Sequence, residues 1–130
     1  MTTDVPPVVH RYFELMNGDR WDAFGEVWAE DAEHSAVGGG SRTGRQEIVD
    51  FYARLFRAWA VHDDRPTRFL VAGDTVTVEV TFSGTMHDGR SLSFPAVDVI
   101  DVRDGQITRL TNWYDIAWVR KQLEQPVADA

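Results

Sequence analysis

The spacing of the apolar residues changes near the middle of the chain. Up to about residue 60 they recur every three or four positions, which is typical of amphipathic helices. Beyond it they alternate with polar residues, which is typical of strands with one buried face. The first pattern predicts a helix over residues 5–17, a short helix that Asp22 caps, and a third helix that opens at Thr43 or Gly44.

Several segments are rich in β-branched and aromatic residues and are predicted to be strands. Turn sequences at residues 72–74, 87–89 and 103–105 separate the last four, so three successive hairpins form an antiparallel meander. The predicted strands are 32–37, 67–71, 75–83, 91–102 and 106–114, with a glycine-rich loop at 38–41 and a closing helix at 116–123.

Helices followed by a long antiparallel sheet indicate the α+β class. A sheet this short has to curl around about three N-terminal helices to cover its apolar face, and the resulting cone should enclose a pocket for a small molecule. At 130 residues the chain fits a single domain, residues 1–130, with a flexible tail at 125–130.

Composition narrows the function classes. The chain has no cysteine, which excludes disulfides and thiol catalysis. Its net charge is −8, and such a surface repels nucleic acids and anionic membranes. No secretory signal or membrane span is recognisable, so we expect a cytoplasmic protein. The four histidines lack metal-site spacing, and we expect neither metal nor cofactor.

Asp98 is the most informative candidate for chemistry. On the predicted strand 91–102 it alternates in phase with five apolar residues: Leu92, Phe94, Ala96, Ile100 and Val102. Burial among them should raise the pKa of the carboxyl group and keep it neutral. A neutral acid can donate a hydrogen bond to a developing oxyanion. The alternative is a buried acid that a backbone amide or an arginine satisfies.

Six motifs give the sequence a family resemblance over nearly the whole chain. They are residues 12–19, 28–32, 44–48, 94–100, 104–107 and 112–115. The sequence resembles nuclear-transport-factor-2-like domains, and among them it is most similar to the ketosteroid isomerases and the SnoaL-like polyketide cyclases. The resemblance implies the cone-shaped fold but not the reaction, because one fold hosts several chemistries.

The resemblance assigns two residues to an oxyanion site, whereas the position of the family's catalytic base carries a different residue in this chain. Asp98 matches the family's neutral acid, and Tyr12 matches its tyrosine donor, which we expect to bond to Asp98. The isomerases carry a basic aspartate where this chain has Ala36. His34, two residues earlier on the same strand face, is the candidate replacement base. Core packing of Tyr12 and a structural role for His34 remain the alternatives.

The last strand and its neighbours should line the pocket. Asn112 and Tyr114 are in phase with the family's pocket positions and are expected to position the substrate. The predicted apolar wall consists of Phe94, Ala96, Leu110, Trp28 and Phe56. Epoxide hydrolases of this fold carry an acid where Asn112 stands, an arginine at the position of Glu79 and an aspartate at that of Thr81, so epoxide hydrolysis is not expected.

The sequence therefore predicts a cofactor-independent acid/base enzyme, an isomerase, cyclase or dehydratase, for a hydrophobic polycyclic or polyketide-like ketone. The alternative is a non-catalytic binding or scaffold module of the same fold. In either case we expect a homodimer that pairs through the convex face of the sheet.

Overall fold

The computed structural model describes residues 4–126 and confirms the three helices of the first half. Helix α1 begins at Pro7, because proline favours the first helical position, and Gly18 follows its last residue. Asp22 lies inside the second helix and bonds to Arg20, so the predicted cap is wrong. The helices are α1 (Pro7–Asn17), α2 (Trp21–Phe24), which continues as a 3₁₀ turn (Gly25–Val27), and α3 (Arg45–Phe56).

A six-stranded curled sheet follows the order β2-β1-β6-β5-β4-β3. The strands β3 to β6 form the predicted antiparallel meander, whereas β1 runs parallel to β6. The strands are β1 (Trp28–Ala36), β2 (Gly40–Thr43), β3 (Trp59–Ala72), β4 (Thr75–Met86), β5 (Ser91–Arg103) and β6 (Gln106–Tyr114). The α+β cone inferred from the sequence is confirmed.

The segment predicted as a glycine-rich loop contains a strand. Gly38 and Gly40 adopt φ of 71° and 74°, a region that favours glycine, and these turns fold β2 back onto β1. The pairing sets His34 opposite Arg42. A hairpin therefore brings two polar residues together that lie eight positions apart in the sequence.

The core lies between the inner face of the sheet and the helices α1 and α3. The inward alternation of β4 and β5 buries Val76, Val78 and Ile100 against it. Each such side chain stabilises the fold by about 1.5–3 kcal/mol relative to an exposed one. This packing fixes the sheet whose inner face carries the polar groups described below.

The closing helix α4 (Ile116–Gln122) is attached differently from the others. None of its residues is buried. Polar contacts hold it: the Gln122 side chain accepts a hydrogen bond from the Ser93 amide, and Arg90 donates to the Leu123 carbonyl. The Gln125 side chain donates to the Ser91 carbonyl, and residues 127–130 of the predicted tail lie outside the described residues.

None of the helices within residues 4–126 has the length and apolar character needed to cross a membrane.

Candidate functional site

A large apolar cavity, here called the outer chamber, opens between α3, the inner face of the sheet and α4. Its volume is about 410 Å³. On one side α4 covers it with Ile116 and Val119. Its walls are mainly apolar, and a third of the lining residues are aromatic: Phe51, Phe56, Trp59, Phe82, Phe94 and Tyr114. The chamber is suited to a flat hydrophobic molecule.

A smaller polar space, here called the inner recess, adjoins the outer chamber. Its volume is about 70 Å³, and it shares Phe51, Phe56, Asp64 and Asn112 with the chamber. Two carboxyl groups, two phenols and one imidazole face it, from Asp64, Asp98, Tyr12, Tyr52 and His34. The ionisable groups of the cavity are therefore concentrated at its inner end.

Asp98 lies on β5 as predicted, facing inward and only 4% exposed. The register sets it opposite Asn112 on β6, whose amide donates to Asp98 Oδ1 over 2.6 Å. Burial raises the pKa of the Asp98 carboxyl to about 6, and the Asn112 bond opposes that rise. The direction agrees with the sequence prediction. At pH 7 a pKa of about 6 leaves the ionised form of Asp98 in excess, and the neutral form that the sequence predicts becomes the main one below about pH 6.

Asp64 is a second acid of the recess that the sequence did not reveal, and the residue as a whole is partly buried. Its backbone N–H and C=O both bond to the Asn17 side chain, over 2.9 and 3.0 Å. Its Oδ2 atom is buried and has no hydrogen-bond partner within the described residues. Burial, then the charge of Asp98, raise the pKa of Asp64 to about 8. Near neutral pH the two carboxyls therefore share one proton, with the proton mainly on Asp64.

The reason Asp64 escaped prediction is a break in the strand alternation. We predicted a strand only over residues 67–71, but β3 begins at Trp59. Between Pro66 and Arg68 the register shifts by a bulge, which reverses the face of the preceding residues. A count back from the inward-facing Phe69 in steps of two ignores the bulge and therefore places the Asp64 side chain on the outer face. The pairing of Asp64 with the buried Phe82 on β4 shows that it lies on the inner face.

Two phenols form a hydrogen-bonded pair in the recess. The hydroxyls of Tyr12 and Tyr52 lie 2.7 Å apart, and both rings are buried. Burial raises the pKa of both phenols well above the usual value, so both are neutral. The predicted bond between Tyr12 and Asp98 is wrong, because the hydroxyl of Tyr12 bonds to that of Tyr52 and not to Asp98. On the apolar stripe of α3, Tyr52 looks like a core residue, and the sequence offers no signal for it.

His34 does face the recess on the same side of β1 as Ala36, as predicted. It is only 2% exposed, and both ring nitrogens are engaged: Nε2 with the Tyr52 hydroxyl over 3.0 Å, and Nδ1 with Arg42 over 2.5 Å. Burial, then the charge of Arg42, lower the pKa of the imidazole to about 3. The predicted role as a base is therefore wrong, because no free, basic nitrogen is available.

The remaining predicted residues divide between the cavity and the core. Phe56, Phe94, Ala96, Asn112 and Tyr114 line the outer chamber, and the Tyr114 hydroxyl donates to the Val37 carbonyl over 3.3 Å.

Trp28 and Leu110, by contrast, are fully buried and line neither space. Trp28 packs beneath the rings of Tyr12 and Tyr52. Both therefore support the cavity from behind, which corrects their assignment to its wall. Glu79 forms an exposed ion pair with Arg68 and does not line the cavity either.

Within residues 4–126, no group of three or more histidine or acidic side chains is arranged to hold a metal ion. The recess can instead transfer protons, since it combines an ionised carboxylate, a protonated carboxyl and a phenol pair.

Comparisons with known proteins agree with this fold. A SnoaL-like domain matches residues 9–110. No curated protein matches the sequence. A Xanthomonas campestris pv. campestris protein, named as a candidate polyketide cyclase, is 29% identical, with a TM-score of 0.83 over 90% of this chain and 94% of that one.

Two further solved structures share the fold at lower identity. One is a Catenulispora acidiphila protein with a ketosteroid isomerase-like fold in complex with trimethylamine, 23% identical, with a TM-score of 0.85 over 98% of this chain and 99% of that one. The other is an epoxide hydrolase from M. tuberculosis, 19% identical, with a TM-score of 0.79 over 91% and 87%. Together these matches confirm the resemblance that the sequence motifs indicate.

Proposed function

The chain belongs to the SnoaL-like domain family, and from that premise we propose that it is a cofactor-independent acid/base enzyme for a hydrophobic polycyclic or polyketide-like ketone. The reaction class is isomerisation, cyclisation or dehydration. One observation carries the proposal: an aromatic chamber ends at two buried carboxyls of unequal pKa beside a pair of phenols.

The shape of the cavity supports a ketone held with its oxygen inward. A volume of about 410 Å³ lies within the usual range for small-molecule sites, and the aromatic walls match fused rings. Hydrogen-bond donors are concentrated in the recess. A carbonyl oxygen placed there gains a donor, whereas the hydrocarbon part of the molecule loses water-exposed surface in the chamber.

The two carboxyls have complementary roles in this proposal. Ionised Asp98 removes a proton from the carbon next to the carbonyl, and the electron pair moves onto the carbonyl oxygen. Protonated Asp64 and a phenol hydrogen stabilise that oxygen. Asp98 then gives up its proton in one of three ways: to another carbon in isomerisation, to the oxygen of a second carbonyl whose carbon the enolate attacks in cyclisation, or to a β-hydroxyl group that leaves as water in dehydration. Asn112 holds the Asp98 carboxylate in place over 2.6 Å.

Exchange of carbon-bound hydrogen for deuterium tests the proposal without knowledge of the natural substrate. We expect the protein to accelerate deuterium incorporation from D₂O next to the carbonyl of bicyclic and steroid-like ketones, as followed by NMR. A chamber-sized ketone should exchange faster than acetone, which cannot fill the aromatic walls. A panel in which ketones bind but none exchanges would contradict catalysis.

A second candidate is binding without turnover. The Catenulispora protein with this fold holds trimethylamine, and buried carboxyls among aromatic rings also suit a cationic amine. Trimethylamine that binds to this chain, together with ketones that never exchange, would favour the binding module.

We also propose that two copies pair through the convex face of the sheet. Trp113 is 56% exposed on that face. The outward-facing residues of β4 to β6 around Trp113 are mostly uncharged: Thr77, Thr81, Pro95, Val97, Val99 and Thr111. Glu79 is paired with Arg68. Because the chain carries a net charge of −8, such a face allows two copies to meet with little repulsion.

Trp113→Glu is therefore expected to convert a dimer into a monomer, as measured by light scattering after size exclusion. Trp118→Glu is the matched control, since Trp118 is 48% exposed on α4, away from that face. A wild-type protein that elutes as a monomer, or a dimer unaffected by Trp113→Glu, would contradict this interface.

A further inference from the structure

Four side chains form a continuous line of hydrogen bonds from β2 to the inner recess. Arg42 contacts His34 Nδ1 over 2.5 Å, His34 Nε2 contacts the Tyr52 hydroxyl over 3.0 Å, and that hydroxyl contacts Tyr12 over 2.7 Å. Arg42 is the outermost member, and the acid/base scheme above gives it no role.

The first bond fixes which nitrogen of His34 carries the hydrogen. A guanidinium group donates hydrogen bonds and accepts none. Arg42 therefore donates to Nδ1, which has to be the unprotonated nitrogen of a neutral imidazole. The hydrogen of His34 lies on Nε2, and His34 donates to Tyr52.

The number of phenol hydrogens then determines what the recess offers. Tyr12 and Tyr52 have two hydroxyl hydrogens, and the bond between them uses one. Because Tyr52 accepts from His34, the second hydrogen is not used within this line. With the opposite tautomer, Tyr12 would donate to Tyr52 and Tyr52 to His34 Nε2, so no phenol hydrogen would remain.

We propose that Arg42 is a positioning residue that makes the phenol pair a hydrogen-bond donor toward the recess, so that the recess selects a ligand with an acceptor oxygen. The donor polarity stands on geometry alone, whereas the identification of that ligand as a ketone rests on the proposed function.

Several contacts hold Arg42 in the required place. The hairpin register sets it directly opposite His34, and a second guanidinium nitrogen donates to the Gly39 carbonyl. The guanidinium plane lies 3.6 Å from the centre of the Phe51 ring. The arginine is thus oriented from three sides, and its donor role at His34 is maintained.

The tautomer of His34 is the direct readout. Nitrogen–proton correlation spectra of the ¹⁵N-labelled full chain should show a single form in the wild type, protonated at Nε2 only. Arg42→Met keeps the length but removes every donor, and we expect loss of the single form. Arg42→Lys, which retains a donor-only cation, should restore it.

Arg54→Met is the matched control. Arg54 is an exposed residue of α3 whose charge also acts on Arg42, but it does not contact His34. It should leave the tautomer unchanged, which separates the hydrogen bond from the loss of one nearby positive charge. Thermal denaturation of each variant establishes that it is folded.

The affinities of two probe molecules test whether the phenol pair donates a hydrogen bond to a ligand. 2-Tetralone and tetralin differ mainly in the carbonyl oxygen, and one net hydrogen bond should favour the ketone by roughly three- to tenfold in affinity. In Arg42→Met the ketone preference should fall by about that factor, because only protonated Asp64 then still donates to the ketone, with the affinity for tetralin unchanged.

The outcomes distinguish the inference from the proposed function. If wild-type His34 is protonated at Nδ1, or if Arg42→Met scrambles the tautomer and keeps the ketone preference, the inference is wrong. If the tautomer behaves as expected but no ketone undergoes exchange, the donor arrangement stands and the proposed enzymatic function is wrong.

Discussion

Asp98→Asn is expected to lower the rate of hydrogen exchange next to the ketone carbonyl by about 10³-fold. Asparagine has nearly the same shape but no basic oxygen, and a positioned general base is typically worth about 10²–10⁴-fold in rate. Since Asp98 accepts from Asn112 and has the lower pKa of the two recess carboxyls, it is the group that we propose as the base.

The measurement is the initial rate of deuterium incorporation into a bound ketone near neutral pH. Asp101→Asn is the matched control, because Asp101 lies on the same strand and bonds to Thr75, outside both cavities. Its rate should equal that of the wild type. A rate for Asp98→Asn within about threefold of the wild type would exclude Asp98 as the base, since base catalysis contributes far more.

The free energy of unfolding should decrease as the pH rises from about 4 to about 8, and Asp64→Asn should remove most of that decrease. An unfolded aspartate has a pKa of about 3.9, whereas the folded pKa of Asp64 is raised to about 8. Its stabilising contribution is complete below the unfolded pKa and is lost as the pH rises through the folded one. Each pKa unit is worth about 1.4 kcal/mol, so the loss of unfolding free energy between the two pKa values approaches roughly 6 kcal/mol.

Urea denaturation at about pH 5 and about pH 8.5 measures this effect, since the two conditions fall on either side of the raised pKa. We expect Asp64→Asn to be markedly more stable than the wild type at the higher pH. Asp63→Asn is the control: it changes the exposed neighbour on β3, whose charge makes the smallest of the three contributions to the raised Asp64 pKa, and it should leave most of the slope with pH intact. Equal slopes for Asp64→Asn and the wild type would show that Asp64 is not buried as a neutral acid.

The meander and its central acid could be predicted from the sequence because one simple rule holds throughout β5. Every second residue from Leu92 to Val102 is apolar except Asp98, and the burial along the strand alternates in the same way, so the inward position of Asp98 follows from counting. The same regularity gives the bounds of β6 correctly. Where the local pattern is unbroken, both the fold and the candidate residue are determined by it.

The missed residues depend on contacts that no local pattern contains. A bulge hides the orientation of Asp64. Tyr52 has the spacing of a core residue on α3, and its place in the polar recess follows only from the hydrogen bonds of its hydroxyl with Tyr12 and His34. The state of His34 depends on Arg42, across a hairpin that was interpreted as a loop. These features arise from tertiary pairing, which strand and helix periodicity does not specify.

The weak attachment of α4 has a consequence for how a ligand enters the outer chamber. The helix covers the outer chamber but contributes no buried residue, and polar bonds from Gln122 and Arg90 anchor its end. Swinging it aside therefore leaves the core between the sheet and α1 intact, and such a local opening requires far less free energy than unfolding. We therefore expect a ligand to enter and leave the outer chamber by displacement of α4, without unfolding of the core.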